Sequence, residues 1–203
     1  MTDLQRGGTP LRVVRWSRWL RRIDVEPVVG CLAGPGPLSD ELGRLGVAHF
    51  TCGARHPLDA TALVRLARHI RRFNPDLIHS SLFHANLAAR FVGRLDRRRP
   101  IVTNTVTVEV ERIWHRRLEQ LTARLSDAHV CNAPAVARDV VRKLGFPAHR
   151  VVIIPNGVDL DAMDATPPME RAPLGIPEGA ALLVWVGRMD PVKDLISWID
   201  VFD

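Results

Sequence analysis

The sequence predicts an α/β fold: a parallel sheet covered by helices on both faces, with a second α/β domain beginning near the chain's end. Three observations lead there. Short apolar runs alternate with amphipathic stretches from Glu26 to Ile154. The connections between them are short, which suits strand–helix–strand units. The run at Val151–Ile154 (VVII) is continuously apolar and Asp76–His79 (DLIH) has an apolar centre, as strands buried on both faces do.

The elements follow in order. Met1–Gly8 is polar and ends in a glycine pair. Thr9–Arg22 reads as a helix, with Val13, Trp16 and Leu20 on one face, Arg12, Arg15, Arg18 and Arg22 mostly off it, and Pro10 in its first turn. Glu26–Leu32 is a strand, Leu38–Leu45 a short helix closed by Gly46, and Val47–Cys52 a second strand. Asp59 is placed to cap the clearest helix, whose Leu63, Leu66, Ala67, Ile70 and Phe73 form one stripe. Asn74-Pro75 stops it. After the strand Asp76–His79, Phe83, Leu87, Phe91 and Leu95 recur at helical spacing, and Ile101–Val106 is a β-branched strand. Glu109–Ser126 predicts a long helix, Ala128–Cys131 a strand, and Pro134–Leu144 a helix capped by Asn132 and closed by Gly145. Residues 156–178 turn polar and proline-rich, as a semi-rigid linker does. Ala181–Val186 restarts the strand pattern and Leu195–Phe202 begins another helix. The expected organisation is a first domain over 1–158, a linker over 159–179, and the start of a second domain over 180–203.

Composition narrows the function classes. The 203 residues are 46% hydrophobic and 25% charged, ordinary for a globular protein. No apolar run approaches the ~20 residues that span a bilayer, and the polar start gives no secretory signal, so the expected compartment is the cytoplasm. Cys31, Cys52 and Cys131 are widely spaced and read as buried reduced thiols. The net charge of +6 is carried almost wholly by arginine, since Lys143 and Lys193 are the only lysines. Interleaved aromatics that would stack on bases are missing and there is no tyrosine, so nucleic acid is not an expected partner. Trp16 and Trp19 among arginines fit a membrane-facing basic helix, but a core-packed helix with its arginines outward fits better.

Ligands of open α/β sheets bind beyond the carboxyl ends of the strands. That rule selects Gly7-Gly8, His79-Ser80, Thr105–Glu109, Asn156-Gly157 and Gly187–Lys193. Neither the G-x-G-x-x-G nor the G-x-x-x-x-G-K-[ST] fingerprint occurs. At the last place a strand breaks at Gly187-Arg188, with Lys193 five residues on. Glycine permits close backbone approach and the two cations can hold a phosphate.

TDLQRGGTP, FNPDLIHSSLFHANLAAR, RVVIIPNGVD and VWVGRMDPVKD, in this order, resemble glycosyltransferase family 4, retaining nucleotide-sugar enzymes of GT-B architecture. The last two motifs are the specific part of the match, which covers nearly the whole chain. The resemblance implies a Rossmann-like acceptor-side domain followed by the first unit of a donor-binding domain. It implies that Gly7 and Gly8 face the donor phosphate and acceptor, and that Gly187, Arg188 and Lys193 grip the donor diphosphate. Positive charge there would balance the charge of a departing nucleoside diphosphate, so no metal or other cofactor is expected. His79, Thr107 and Asn156 are further candidates, and no catalytic residue is assigned.

Three departures accompany the match. No apolar first strand precedes Gly7: Thr2, Asp3, Gln5 and Arg6 are polar. Thr107 stands about where the family often has a histidine, and threonine has no proton chemistry near neutral pH. The family's E-x₇-E pair lies beyond Asp203. The implied reaction is transfer of a sugar from a nucleotide-sugar to a lipid, glycan or small-molecule acceptor, incomplete in these residues alone. The alternative is a non-catalytic acceptor- or partner-binding fragment working beside a separately encoded donor domain. Peripheral association with the inner face of the membrane is a further expected partnership.

Overall fold

The structure is a computed structural model describing residues 1–56, 59–96, 99–107, 113–177, 179–187, 189, 191 and 194–201. Chain contacts divide it into two units, Met1–Gly157 and Val158–Asp203.

The first unit alternates helix and strand throughout: α1 (Gly8–Leu20), β1 (Val28–Cys31), α2 (Pro37–Arg44), β2 (Ala48–Thr51), α3 (Ala60–Phe73), β3 (Ile78–Ser81), α4 (Phe83–Asp96), β4 (Ile101–Thr105), α5 (Ile113–Thr122), β5 (Ala128–Cys131), α6 (Pro134–Leu144) and β6 (Val151–Ile153). All strand pairs are parallel. The expected α/β fold is therefore present, but as two sheets, β1-β2 and β3-β4-β5-β6. No described strand joins β1 to β3. The ladder therefore has a gap between β1 and β3.

Helix ends follow local chemistry. The Asp59 carboxylate accepts from the Thr61 and Ala62 amides at the start of α3. The Thr61 hydroxyl, donating at 2.6 Å, then the Arg55 amide and these two bonds hold its carboxyl well below the usual range. Gly46 and Gly145, with φ of 65° and 73°, supply the left-handed residues after α2 and α6. The expected Asn132 cap of α6 is corrected: Ala133 is the N-cap with no side-chain bond, and Pro134 in the first turn sets the backbone instead.

Each sheet has its own core. Leu4, Val14, Val29, Cys31, Leu38, Leu42 and Val47 pack around β1, and Ala123, Cys131, Ala137, Val140, Leu144 and Phe146 around β5. The three cysteines are buried and free, as expected, and burial pushes the Cys52 and Cys131 thiols up to about 11. Among the described residues no helix is long and apolar enough to cross a membrane.

In the second unit, the stretch expected to be a semi-rigid linker contains the short helix α7 (Leu160–Asp164), capped by Asp159. The strand expected at Ala181–Val186 does not form. Leu182, Leu183, Val184 and Val186 are exposed. A strand needs a neighbour to satisfy its backbone, and the unit has no other described strand; helix α8 (Leu195–Asp200) completes it.

Candidate functional site

The carboxyl ends of β3 and β4 open onto a cavity of about 520 Å³. The amino-terminal segment contributes Thr2 and Asp3, α1 contributes Thr9, and the β3–α4 turn contributes Leu82, Phe83 and His84. Thr105, Val106 and Thr107 follow β4, and α5 brings His115 and Arg116. Leu82 turns the chain from strand to helix at φ 78°, a left-handed conformation that a leucine seldom takes. Such strain is commonly kept where a site needs it.

Buried polar groups hold this rim in place. Ser80 Oγ donates to Asn86 Oδ1 at 2.9 Å, and Asn86 Nδ2 donates to the Asn104 carbonyl at 3.0 Å. Asn104 Nδ2 in turn donates to the Val130 carbonyl at 3.1 Å. Arg12 reaches over from α1, donating to Asn104 Oδ1 at 2.7 Å and to Asn156 Oδ1 at 2.6 Å. One guanidinium thus ties α1 to the ends of β4 and β6.

Aromatic rings line the α4–α5 side. Phe83 stacks on His115 at 3.7 Å, and His84 and Trp114 meet His115 edge-on at 5.6 and 3.9 Å. Four residues after His115 on α5 comes Glu119, which binds the fully buried Arg90 of α4 at 2.7 Å. Arg90 also donates to Thr122 and Ser126 at 2.9 and 3.0 Å, and its guanidinium lies 5.1 Å from the Phe146 ring. Burial raises the Glu119 carboxyl and lowers the Arg90 guanidinium, and each is opposed by the other's charge at hydrogen-bond distance. The pair fixes α5 against α4, and so fixes where His115 sits.

The residues selected from sequence separate. Thr107 lines the cavity. Gly7 is the N-cap of α1, extended and without a side-chain cap, and Gly8 begins the helix. A Cβ added at Gly8 would meet nothing within 4 Å. Asn156 is held by Arg12. His79 is not part of the cavity; it stacks on Trp16 at 5.4 Å. Its ring still meets water, yet the surrounding protein desolvates it and Arg12 and the Met1 ammonium repel a proton, so its pKa falls to about 4. Gly187 lies in the second unit, its α-carbon beside the Trp185 ring. Arg188 and Lys193 lie outside the described residues. Sequence reading missed Arg12, Asn104, His84 and His115. The one available signal was His84, directly after a strand's carboxyl end. Among the described residues no cluster of three histidine, cysteine or acidic side chains could hold a metal.

A family model, Glycosyltransferase Family 4, matches residues 6–162. The chain belongs to glycosyltransferase family 4. Within this family 4 chain, a 77-residue stretch is 36% identical to a D-inositol 3-phosphate glycosyltransferase of Kineococcus radiotolerans, covering 37% of this chain and 18% of that protein. The same-named protein of Geodermatophilus obscurus is 38% identical over 78 residues, covering 37% and 17%. Among solved structures, a glycosyltransferase from Rickettsia africae superposes with a TM-score of 0.64 at 14% identity, covering 96% of this chain and 46% of that one. Anabaena HepE in complex with UDP and glucose gives 0.62 at 17% identity, covering 79% and 44%. A UDP-GlcNAc 2-epimerase from Methanocaldococcus jannaschii gives 0.51 at 10% identity, covering 71% and 42%, so the structural likeness carries the fold and not the reaction. The matched chain spans less than half of each of these three structures.

Proposed function

We propose that the chain is the acceptor-side part of a retaining glycosyltransferase that moves a sugar from a nucleotide-sugar to a lipid, glycan or small-molecule acceptor. The observation that carries this is the cavity at the carboxyl ends of β3 and β4, beside the uncapped start of α1. The amides of Gly8 and Thr9 have no partner inside the helix and can face an anion. Open space beside Gly8 admits one closely. Thr107, His84 and His115 offer hydrogen bonds to acceptor hydroxyls, and Arg116 offers charge to an acceptor phosphate. A phosphorylated polyol is the acceptor class best supported, through the names of the related proteins and Arg116 together. A UDP-sugar is the donor to try first. Gly187, Arg188 and Lys193 serve the donor diphosphate, and with two cations there no metal cofactor is required.

Calorimetry with D-inositol 3-phosphate tests the reading. The purified chain is expected to bind, and R116A to weaken binding by roughly 10-fold. It is expected to turn over none of the UDP-, GDP- or ADP-sugars by itself. Turnover by the chain alone, or unchanged affinity in R116A, contradicts the assignment. One observation favours a second reading, a non-catalytic fragment acting beside a separately encoded donor domain: threonine stands at 107. Peripheral membrane association rests on Trp19, 46% exposed with the Arg22 guanidinium 4.0 Å from its ring. Sedimentation with anionic vesicles tests it, and no co-sedimentation removes it.

A further inference from the structure

Arg12 is a cation whose partners carry no charge. Three other arginines that reach across the first unit meet carboxylates: Arg90 binds Glu119 at 2.7 Å, Arg94 binds Asp127 at 2.8 Å, and Arg65 lies 3.7 Å from Asp59. Arg12 instead donates to two amides, Asn104 Oδ1 at 2.7 Å and Asn156 Oδ1 at 2.6 Å, and no described ion pair includes it. Its Nε is buried with no hydrogen-bond partner, and its guanidinium lies 4.7 Å from the Trp16 ring. Desolvation lowers its pKa, with no carboxylate to oppose the shift as Glu119 does at Arg90. A neutral amide accepts the hydrogen bonds and leaves the whole positive charge in place.

The surroundings are a row of amides. Thr105 pairs with Cys131 and Cys131 with Ile153, so β4, β5 and β6 end side by side. Asn104 stands at the end of β4, Asn132 follows β5, and Asn156 comes just past β6. Asn104 is pinned by its own Nδ2, which donates to the Val130 carbonyl at 3.1 Å, and it lines the cavity. Asn132 Oδ1 is buried with no partner among the described residues. Three adjacent strand ends thus offer one uncompensated cation and one unsatisfied acceptor oxygen. Their complement is a ligand with an oxyanion and a hydroxyl.

We propose that Arg12 is a specificity-determining residue, whose uncompensated charge selects ligands carrying a phosphate-class oxyanion at the carboxyl ends of β4, β5 and β6. Asn104 and Asn156 are neutral braces that aim it. A carboxylate at either position would hold the guanidinium equally well and neutralise it from within. This ligand class rests on the functional reading above, which offers two sources of the oxyanion: the phosphate of a polyol acceptor and the diphosphate of a nucleotide-sugar. Both bring the same group to the same cation.

The test is calorimetry of the full chain with inorganic phosphate, with UDP and with D-inositol 3-phosphate. N156D keeps an oxygen to accept the Arg12 bond and sets a negative charge against the guanidinium. Its melting temperature is expected to be unchanged or higher, while phosphate binds roughly tenfold more weakly or worse. N156A removes the brace and leaves the charge, and is expected to cost less affinity than N156D. R12Q is expected to lose at least as much as N156D. A loss by UDP in N156D assigns the oxyanion to the donor, and a loss by D-inositol 3-phosphate assigns it to the acceptor. Unchanged affinity of N156D for all three probes overturns the proposal, as do equal losses in N156A and N156D, which would make the tie structural only. No saturable binding of any probe by the parent chain also overturns it. Failure of the functional reading looks different: D-inositol 3-phosphate then does not bind the parent chain, while phosphate and UDP still bind through Arg12.

Discussion

The two halves of the first unit are built from the same strand–helix unit but are held together differently. The β3–β6 half has a continuous parallel ladder, and its centre is tied by buried polar bonds. Arg90, Glu119, Thr122 and Ser126 link α4 to the end of α5, while Thr103 Oγ1 bonds both Ser126, at 2.9 Å, and His129 Nδ1, at 2.6 Å. The β1–β2 half has a two-stranded ladder, and its core is aliphatic and thiol side chains around Leu4. One half therefore depends on satisfied polar partners and fails sharply when one is lost. The other depends on packed volume. The candidate site stands at the end of the polar half, where positions are most tightly fixed.

The largest expected effect breaks the polar half. Glu119→Ala leaves the Arg90 charge buried without its carboxylate, and a loss of about 3–5 kcal/mol is expected in denaturant melts. Replacing both Arg90 and Glu119 by leucine should recover most of it. If the single variant costs under about 1 kcal/mol, the two halves do not differ as described. Next comes Leu4→Ala, which opens a cavity in the β1 core at about 2–5 kcal/mol. Its effect on amide exchange should concentrate at Val29 and Phe50 and spare Thr103 and Val130; uniform loss would mean that the halves open together.

A smaller effect is acid sensitivity. His129 is depressed to about 3, chiefly by burial with the Arg90 charge adding to it, and His79 to about 4. Both are neutral in the folded state, while the unfolded chain takes up protons below about pH 6.5. Stability is thus complete above that value and falls as the pH drops. In pH-dependent melts, H79Q should remove the part of the loss that ends near pH 4, and H129Q the part that continues toward pH 3. Unchanged acid limbs in both variants would refute the assignment.

Much of this was legible beforehand, and the misses have physical reasons. Helix ends are local, so Asp59, Gly46 and Gly145 could be read directly. The Arg90–Glu119 pair was not legible, because its partners are 29 residues apart and each sits in an ordinary amphipathic pattern. Arg12 looked like one more outward arginine until the fold brought Asn104 and Asn156 within its reach. Ala181–Val186 looked like a strand because an apolar run says nothing about whether a partner strand exists. The cavity was half visible: the carboxyl-end rule found Thr107, while His115 and Arg116 come from a helix whose facing depends on the buried pair.

The most direct test of the functional account is a chemical-shift titration of the isotopically labelled chain with D-inositol 3-phosphate. The account predicts saturable shifts at Leu82, His84, Thr107 and His115, abolished in R116A. Shifts confined to the polar surface around Thr51–Arg55, or none at any residue of the β3–β4 cavity, would contradict it.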